Sequence, residues 1–145
     1  MTTSRLLSDL DSLRSKEFPA VPERSGLRDS GPGFHVAALA FSEDFWEDDG
    51  SRREAVEERY EADRDGLAAR LAVRWGEPDR LALWSLHERS MSGEELPEPW
   101  AGLCAHVPNL VLWRVDDGWV GLGVSQWDKE LPFQLLAVVT DVGPP

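Results

Sequence analysis

The sequence predicts an α+β fold in which one mostly antiparallel sheet of about five strands carries helices on one face. Two features lead to this expectation. A long amphipathic helical segment separates the first two strand-like segments, and three strand-like segments follow closely on one another near the carboxyl end. The expected order is helix, strand, helix, strand, short helix and a three-strand meander. We expect residues 1–33 to form an amino-terminal amphipathic helix and connector, and residues 34–145 to form a single α+β domain.

The amino-terminal segment has the pattern of a short amphipathic helix followed by a connector. Leucines at helical spacing give residues 4–15 one apolar stripe, formed by Leu6, Leu7, Leu10 and Leu13. Thr3 or Ser4 is the expected N-cap. Residues 16–33 hold three prolines and three glycines, so we expect an irregular connector there.

The next part of the chain predicts a buried strand and a long helix. Residues 34–41 are apolar except for His35, which is typical of a strand covered on both faces. Ser51 and Glu54 have the spacing of a capping box, so a helix is expected over about residues 52–75. Its apolar face is expected to consist of Val56, Tyr60, Leu67, Leu71 and Trp75.

Shorter elements are predicted beyond the long helix. Residues 80–86 are expected to form a strand and residues 87–97 a polar loop, and Pro99 suits the first turn of a short helix. The buried stripe of that helix is expected to be Trp100, Leu103, Cys104 and Val107. Residues 133–140 are expected to form the last strand.

Asp117-Gly118 is the strongest turn signal in the chain, flanked by two β-rich runs within residues 110–126. A two-residue loop at this dipeptide would pair apolar residues on one face: Val115 with Val120, Trp113 with Leu122, and Val111 with Val124. A three-residue loop with a glycine bulge is the alternative, and it would place two tryptophans over Gly121 and Gly123. We prefer the two-residue loop because it separates the faces better. The two glycines also indicate close approach of a neighbour, for which the long helix is the expected candidate.

The charge of the chain excludes some classes of partner. With 27 acids against 15 bases, the net charge is −12. Nucleic acids and anionic membrane surfaces are therefore not expected to bind, whereas a basic protein partner would be attracted. No apolar run reaches the roughly 20 residues that a membrane span needs. A role of the acids in solubility alone is the alternative that we keep open.

Residue usage favours the bacterial cytoplasm. The chain has one cysteine, so an internal disulfide is not possible, and the amino-terminal residues lack the apolar core of a signal peptide. Arginine greatly outnumbers lysine, which indicates codon bias in a GC-rich genome. We therefore expect a cytoplasmic bacterial protein.

We find no catalytic or cofactor motif in the sequence. Cys104 and His106 are two residues apart on a predicted helix and so would not face one another, and Cys104 fits a buried structural role better. Metal-ligand spacings and phosphate-binding glycine loops are missing. We therefore expect neither a cofactor nor a metal and lean against an enzyme. His35 and His87 are the candidates for chemistry in a pocket between sheet and helices.

The candidate partner-binding residues are aromatic and acidic. The chain has seven tryptophans, and two large aromatic side chains lie among acids in residues 43–49. The candidate set is Glu43, Asp44, Phe45, Trp46, Glu47, Asp48, Asp49, Trp119 and Trp127.

These observations give three hypotheses about function. The first is a non-catalytic acidic protein-binding module, of the immunity-protein or antitoxin kind, that occludes a basic partner. The second is a small enzyme or small-molecule-binding protein with a pocket between sheet and helices. The third is a structural subunit of an assembly. A convex acidic ridge carrying Trp46 would favour the first hypothesis, and a concave pocket with convergent polar groups would favour the second.

Overall fold

The computed structural model describes residues 2–25, 28–47, 49–127 and 130–145, and within them it contains four helices and one antiparallel sheet. The helices are α1 (Thr3–Arg14), α2 (Ser51–Trp75), α3 (Trp84–Met91) and α4 (Trp100–Leu103). The strands are β1 (Glu23–Ser25), β2 (Arg28–Gly31), β3 (Phe34–Phe41), β4 (Asp79–Ala82), β5 (Asn109–Val115), β6 (Gly118–Ser125) and β7 (Gln134–Thr140). Their order in the sheet is β1-β2-β3-β7-β6-β5-β4.

The α+β class and the antiparallel sheet are confirmed, but the described part of the sheet has seven strands rather than about five. The additional strands, β1 and β2, form a hairpin inside the predicted connector, and β2 pairs with the first half of β3. β1 is exposed at all three positions, and β2 buries only Ser30 and Gly31. Sequence patterning misses such an edge hairpin because it buries too little to need apolar alternation.

Helices cover both faces of the sheet, so the expectation of helices on one face is wrong. On one face, α1 and α2 bury a core that includes Leu10, Leu67, Leu71, Trp113 and Leu135. On the other face, α3 and α4 bury a core that includes Leu86, Trp100, Leu103, Leu110 and Val138. The central strands are therefore apolar on both sides, which is the pattern of strands that are covered on both faces.

The amino-terminal helix packs against the rest of the fold. It has Thr2 as its N-cap, one residue before the expected Thr3, and it buries Leu6, Leu10 and Leu13. Asp11 accepts two hydrogen bonds from Arg74 of α2, at 2.9 and 3.1 Å. These hydrogen bonds lower the pKa of the Asp11 carboxyl and join α1 to α2.

The long helix begins one residue earlier than expected and ends as expected at Trp75. Its first turn is capped from outside the helix. The Asp49 carboxylate accepts hydrogen bonds from the backbone N–H and the hydroxyl of Ser51, at 3.0 and 2.7 Å. Gly50 rather than Ser51 is the N-cap, and the Glu54 N–H donates to the Gly50 carbonyl at 3.2 Å, so the predicted capping box of Ser51 with Glu54 does not form. Gly76, with a φ of 83°, ends the helix.

The β5–β6 hairpin has a two-residue loop, but its loop is Asp116-Asp117 rather than Asp117-Gly118. Both aspartates have a positive φ, 50° and 64°, as a type I′ turn requires. The register differs from the predicted one by two residues, so Val115 pairs with Gly118. A shift of two residues keeps each side chain on its predicted face, which is why the core is unaffected.

Two glycines of β6 permit close contacts. A Cβ atom on Gly118 would lie 2.8 Å from the carbonyl oxygen of Thr140 in β7, and one on Gly123 would lie 2.8 Å from the side chains of Leu110 and Val107. The expectation that the long helix approaches Gly121 and Gly123 is wrong, because the nearest side chains belong to Leu112, Leu110 and Val107 and α2 packs on the opposite face.

The predicted strand over residues 80–86 is correct only in its first half. β4 pairs with β5 and ends at Ala82. α3 begins at Trp84 and includes the first part of the segment that was predicted to be a polar loop. Leu83 and Leu86 are buried three residues apart, as on a helix. A short apolar run does not distinguish a strand from a helical turn. The short helix after Pro99 is confirmed as α4, and its stripe is buried as expected.

Candidate functional site

The acidic segment 43–49 carries one exposed aromatic side chain rather than two. Phe45 is 3% exposed and packs edge-on against Phe133, with ring centroids 5.7 Å apart. Trp46 is 63% exposed. The expectation that Phe45 is a surface anchor is therefore wrong, because the loop turns this ring into the core beneath α2.

Several acids of this segment are engaged by the chain itself. Glu43 pairs with Arg52 at 3.7 Å, and the same guanidinium donates to the backbone carbonyl of Asp44 at 3.2 Å. Asp49 caps α2, and the hydrogen bonds that it accepts from Ser51 lower the pKa of its carboxyl. Glu43 and Asp49 therefore stabilise the connection from β3 to α2 through contacts within the chain.

The remaining candidates do not form one surface. Glu47 is exposed, and Asp48 lies outside the described residues. Trp119 is half-buried near the start of β6, whereas Trp127 follows the end of that strand. About 20 Å of extended strand separates the two tryptophans. The structure thus divides the predicted site among distinct parts of the molecule.

Trp127 lines an apolar groove on the face of the sheet that carries α3 and α4. The groove has a volume of about 780 Å³ and lies between α4 and the β1–β2 hairpin. Its apolar lining includes Pro22, Phe34, Val36, Pro99, Leu103 and Val142. A volume of this size is within the usual range of ligand-binding clefts.

The groove exists because the helices on this face are short. α3 and α4 have eight and four residues, whereas β1 and β2 extend the sheet beyond β3. The sheet surface around Phe34 and Val36 is therefore left between α4 and the hairpin. The rims are polar. Arg24 and Asp29 of the hairpin pair at 3.5 Å, and Glu98 lies on the side of α4.

His106 and Trp127 form a stacked pair in the wall of the groove. Their ring centroids are 3.8 Å apart with an interplanar angle of 15°, and Trp127 remains 57% exposed. His106 Nδ1 shares a hydrogen bond with the Ser125 hydroxyl. Burial lowers the pKa of His106 to about 4, so the ring is neutral at physiological pH. Trp127 is thus supported on one ring face and open on the other.

The hydrogen bond between His106 and Ser125 resembles the bond between a catalytic base and a serine nucleophile. Here Ser125 is 0% exposed, so its hydroxyl has no access to a bound substrate. His106 Nε2 has no hydrogen bond to a described residue, while the ring lines the groove. Ser125 therefore orients the imidazole, and His106 can offer Nε2 to a ligand in the groove.

The other residues considered for chemistry lie apart from the groove, and His87 lines a smaller cavity of about 240 Å³ together with Cys104 and His106. His35 is buried and shares hydrogen bonds with the Ser30 hydroxyl at 2.6 Å and the backbone carbonyl of Lys16 at 3.1 Å. His87 lies on α3 beside an exposed tryptophan. The Cys104 thiol donates to a backbone carbonyl, and burial raises its pKa. Within the described ranges, no three His, Cys, Asp or Glu side chains are grouped to hold a metal ion.

Sequence reasoning identified Trp127 but not the groove beside it. Four prolines line that groove, namely Pro22, Pro32, Pro97 and Pro99. This concentration is the signal that could have indicated it. The prolines belong to two segments more than sixty residues apart in sequence, however, and only the fold brings those segments together.

No protein-family model matches the chain, and no curated protein or solved structure gives a significant match. In the part of the chain that the structure describes, none of the helices has both the length and the apolar character needed to cross a bilayer. The geometry of the groove is therefore the basis on which a function can be proposed.

Proposed function

We propose that this protein is a non-catalytic binding module that holds an extended segment of a basic protein partner in the groove. The observation that carries this proposal is Trp127, which is 57% exposed, stacked on His106 and part of the lining of an apolar groove. A large aromatic side chain that is already ordered and still open on one face is typical of interface anchors.

The floor of the groove suits the side chains of an extended segment. Phe34 and Val36 are two residues apart on β3 and both line the groove. Their spacing is about 6.6 Å, which equals the repeat of same-face side chains along a strand. Pro22 and Pro99 add rigid apolar walls that lose little conformational entropy when a ligand binds.

Charge favours a basic segment over an acidic one. The chain has a net charge of −12, and Asp29 and Glu98 lie on the rims of the groove. Neutral His106 does not repel a cation. Arg24 pairs with Asp29 at 3.5 Å, and an exposed pair of this kind contributes little stability. A lysine or arginine of the partner could therefore lie over the open face of Trp127, and long-range attraction would speed association.

A small apolar molecule is the second candidate for the same groove. The volume of about 780 Å³ and the mostly apolar lining favour it. His106 Nε2 would then provide a directional hydrogen bond to that molecule.

The experiment is a selection of ten-residue peptides from a random synthetic library on the immobilised full chain, followed by titration calorimetry. We expect enriched peptides to alternate apolar residues and to carry lysine or arginine. Trp127→Ala should weaken their binding about 30-fold, corresponding to about 2 kcal/mol. Trp46→Ala is the matched control, since it removes a tryptophan of similar exposure outside the groove, and should bind as wild type does.

Each other outcome has a distinct meaning. Unchanged binding by Trp127→Ala would exclude the groove, and a loss confined to Trp46→Ala would move the anchor to segment 43–49. Enrichment of acidic peptides would contradict the basic partner. Should no peptide be enriched while anilinonaphthalene sulfonate binds wild type but not Trp127→Ala, the small-molecule candidate would replace the first.

A further inference from the structure

The solvent side of α3 carries large apolar side chains that the fold does not cover. Trp84 is 65% exposed and Met91 is 76% exposed. They are seven residues apart, and His87 lies between them on the same side of the helix. The other side of α3 is buried through Leu86. α3 therefore presents a stripe of Trp84, His87 and Met91, which we call the α3 stripe.

The cavity of about 240 Å³ adjoins the α3 stripe. It lies between the start of α3 and the segment that joins α4 to β5, and its apolar lining includes Leu83, Trp84, Val107 and Pro108. His87 lines it as well. Trp84 and His87 thus belong to both the stripe and the cavity, so the two form one surface. The cavity is smaller than most ligand clefts, and this size suits a single apolar side chain of a larger partner.

The α3 stripe contributes little to the packing of the chain itself. Trp84 and Met91 belong neither to the two buried cores nor to the apolar residues packed against them. The Trp84 ring contacts the His87 ring, with centroids 5.6 Å apart and an interplanar angle of 37°. Two large exposed apolar side chains beside an apolar cavity are typical of an interaction surface. Replacing either side chain should leave the fold intact.

Charge indicates a basic partner for this surface. Glu88 lies on the same side of α3 as Trp84 and Met91 and forms no ion pair with a described residue. Arg89, the basic residue in the last turn of α3, is paired with Glu94. The net charge of the chain is −12. A basic protein is therefore attracted to the α3 stripe, whereas a second copy of this acidic chain is repelled.

Backbone hydrogen bonding favours a helical partner over an extended one. The backbone groups along the side of α3 are used in its own helical hydrogen bonds, so an extended segment would find no backbone partners there. A helix satisfies its backbone groups internally and binds through side chains. Trp84 and Met91 are about 10.5 Å apart along the axis of α3, which equals the spacing of residues i and i+7 in a second helix.

We propose that the α3 stripe docks an amphipathic helix of a basic protein, with one apolar side chain of that helix in the cavity beside Trp84. The apolar face of the docked helix covers Trp84 and Met91, and a lysine or arginine next to that face pairs with Glu88. His106 lines both this cavity and the groove, but the α3 stripe and Glu88 do not line the groove. The proposal therefore does not depend on the function proposed for the groove.

The test uses a fourteen-residue helical peptide of leucine and lysine, with leucines at positions i, i+3, i+4 and i+7 and fluorescein at its amino end. Fluorescence anisotropy with the full chain measures its affinity. We expect Trp84→Ser to weaken binding about tenfold and Met91→Ser about fivefold. Trp46→Ser and Val73→Ser are the matched controls, since they remove exposed apolar side chains elsewhere, and both should bind the peptide as wild type does.

Further measurements distinguish this surface from the groove and from self-association. Trp127→Ala should bind the leucine–lysine peptide as wild type does, and a peptide with glutamate in place of each lysine should bind at least tenfold more weakly. Sedimentation velocity shows whether the chain associates with itself. The proposal would be overturned by no binding, by equal binding of the two peptides, by equal losses for Trp84→Ser and Trp46→Ser, by a loss for Trp127→Ala, or by a dimer that Trp84→Ser abolishes.

Discussion

The two faces of the sheet are covered in different ways, and the difference locates the candidate site. On one face, α1 and the 25 residues of α2 bury the central strands, and the described clefts on this face lie along β3. On the other face, the eight residues of α3 and four of α4 leave an apolar groove beside the hairpin. Short helices joined by loops thus leave apolar sheet surface open, and such surface is typical of binding sites.

The largest expected effect compares matched core leucines on the two faces. Leu71 of α2 is fully buried, and Leu103 of α4 is buried beside the groove. We expect Leu71→Ala to cost about 3–4 kcal/mol in the free energy of unfolding and Leu103→Ala about 2 kcal/mol, because a site beside open space can relax more. Urea unfolding measures both. Equal losses would show that the two faces are equally closed.

The next largest change in the free energy of unfolding is expected at Gly118 in β6, a strand with side chains on both faces of the sheet. Gly118→Val should cost about 1–3 kcal/mol, since a Cβ atom there would lie 2.8 Å from the backbone oxygen of Thr140. Gly66→Ala is the control, because its Cβ would meet nothing closer than 3.8 Å. It should raise stability by about 0.5–1 kcal/mol through helix propensity. Thermal unfolding that ranks the two variants in the opposite order would contradict this packing.

Acid should destabilise the protein through His106. Burial lowers its folded pKa to about 4 from an ordinary value of 6.5. Between these pH values the unfolded chain binds a proton that the folded chain does not, so the free energy of unfolding falls as the pH falls. Because the ring is partly exposed, we expect a loss of about 1–2 kcal/mol.

His106→Gln isolates this contribution from that of the carboxylates. Urea unfolding near neutral pH and near the folded pKa should show a smaller acid-induced loss for the variant than for wild type. An identical pH dependence in both proteins would mean that the pKa of His106 has its ordinary value and that water reaches the imidazole ring.

The smallest expected effect is on stability at the exposed tryptophans. Trp127→Ala and Trp46→Ala should each change the free energy of unfolding by about 0.5 kcal/mol or less, because both side chains are mostly exposed. Differential scanning calorimetry measures this. A large loss for Trp127→Ala alone would indicate that its stacking on His106 supports the fold, and would weaken its assignment as a binding anchor.

The sequence was informative where a segment buries a regular face. In α2, four residues at helical spacing are all buried, as predicted. In the β5–β6 hairpin, the predicted faces are correct although the predicted register is wrong by two residues, because side chains alternate with a period of two. The hairpin of β1 and β2 is not predicted, because its mostly polar, exposed residues at the sheet edge show no apolar alternation. β4 and α3 were merged because one short apolar run served both elements.

The candidate site was harder to predict because it is not a periodic feature. Phe45 and Trp46 are adjacent in a loop, yet one ring is buried and the other exposed, and no local pattern distinguishes them. Trp127 was found from its residue type and loop position. The groove beside Trp127 could not be predicted, because it forms only where long-range packing brings the hairpin, β3 and α4 together.

The β1–β2 hairpin forms one wall of the groove, and a smaller cleft of about 270 Å³ lies between the hairpin and α1. Its ion pairs, Arg24–Asp29 and Arg28–Glu23, join its two strands to each other, and its strand pairing to the rest of the sheet is limited to Phe34–Ala37. Such a unit can open locally without global unfolding. A ligand in the groove would order the hairpin and so oppose this local opening. The amides of β1 and β2 would then exchange hydrogen more slowly in the bound protein than in the free one.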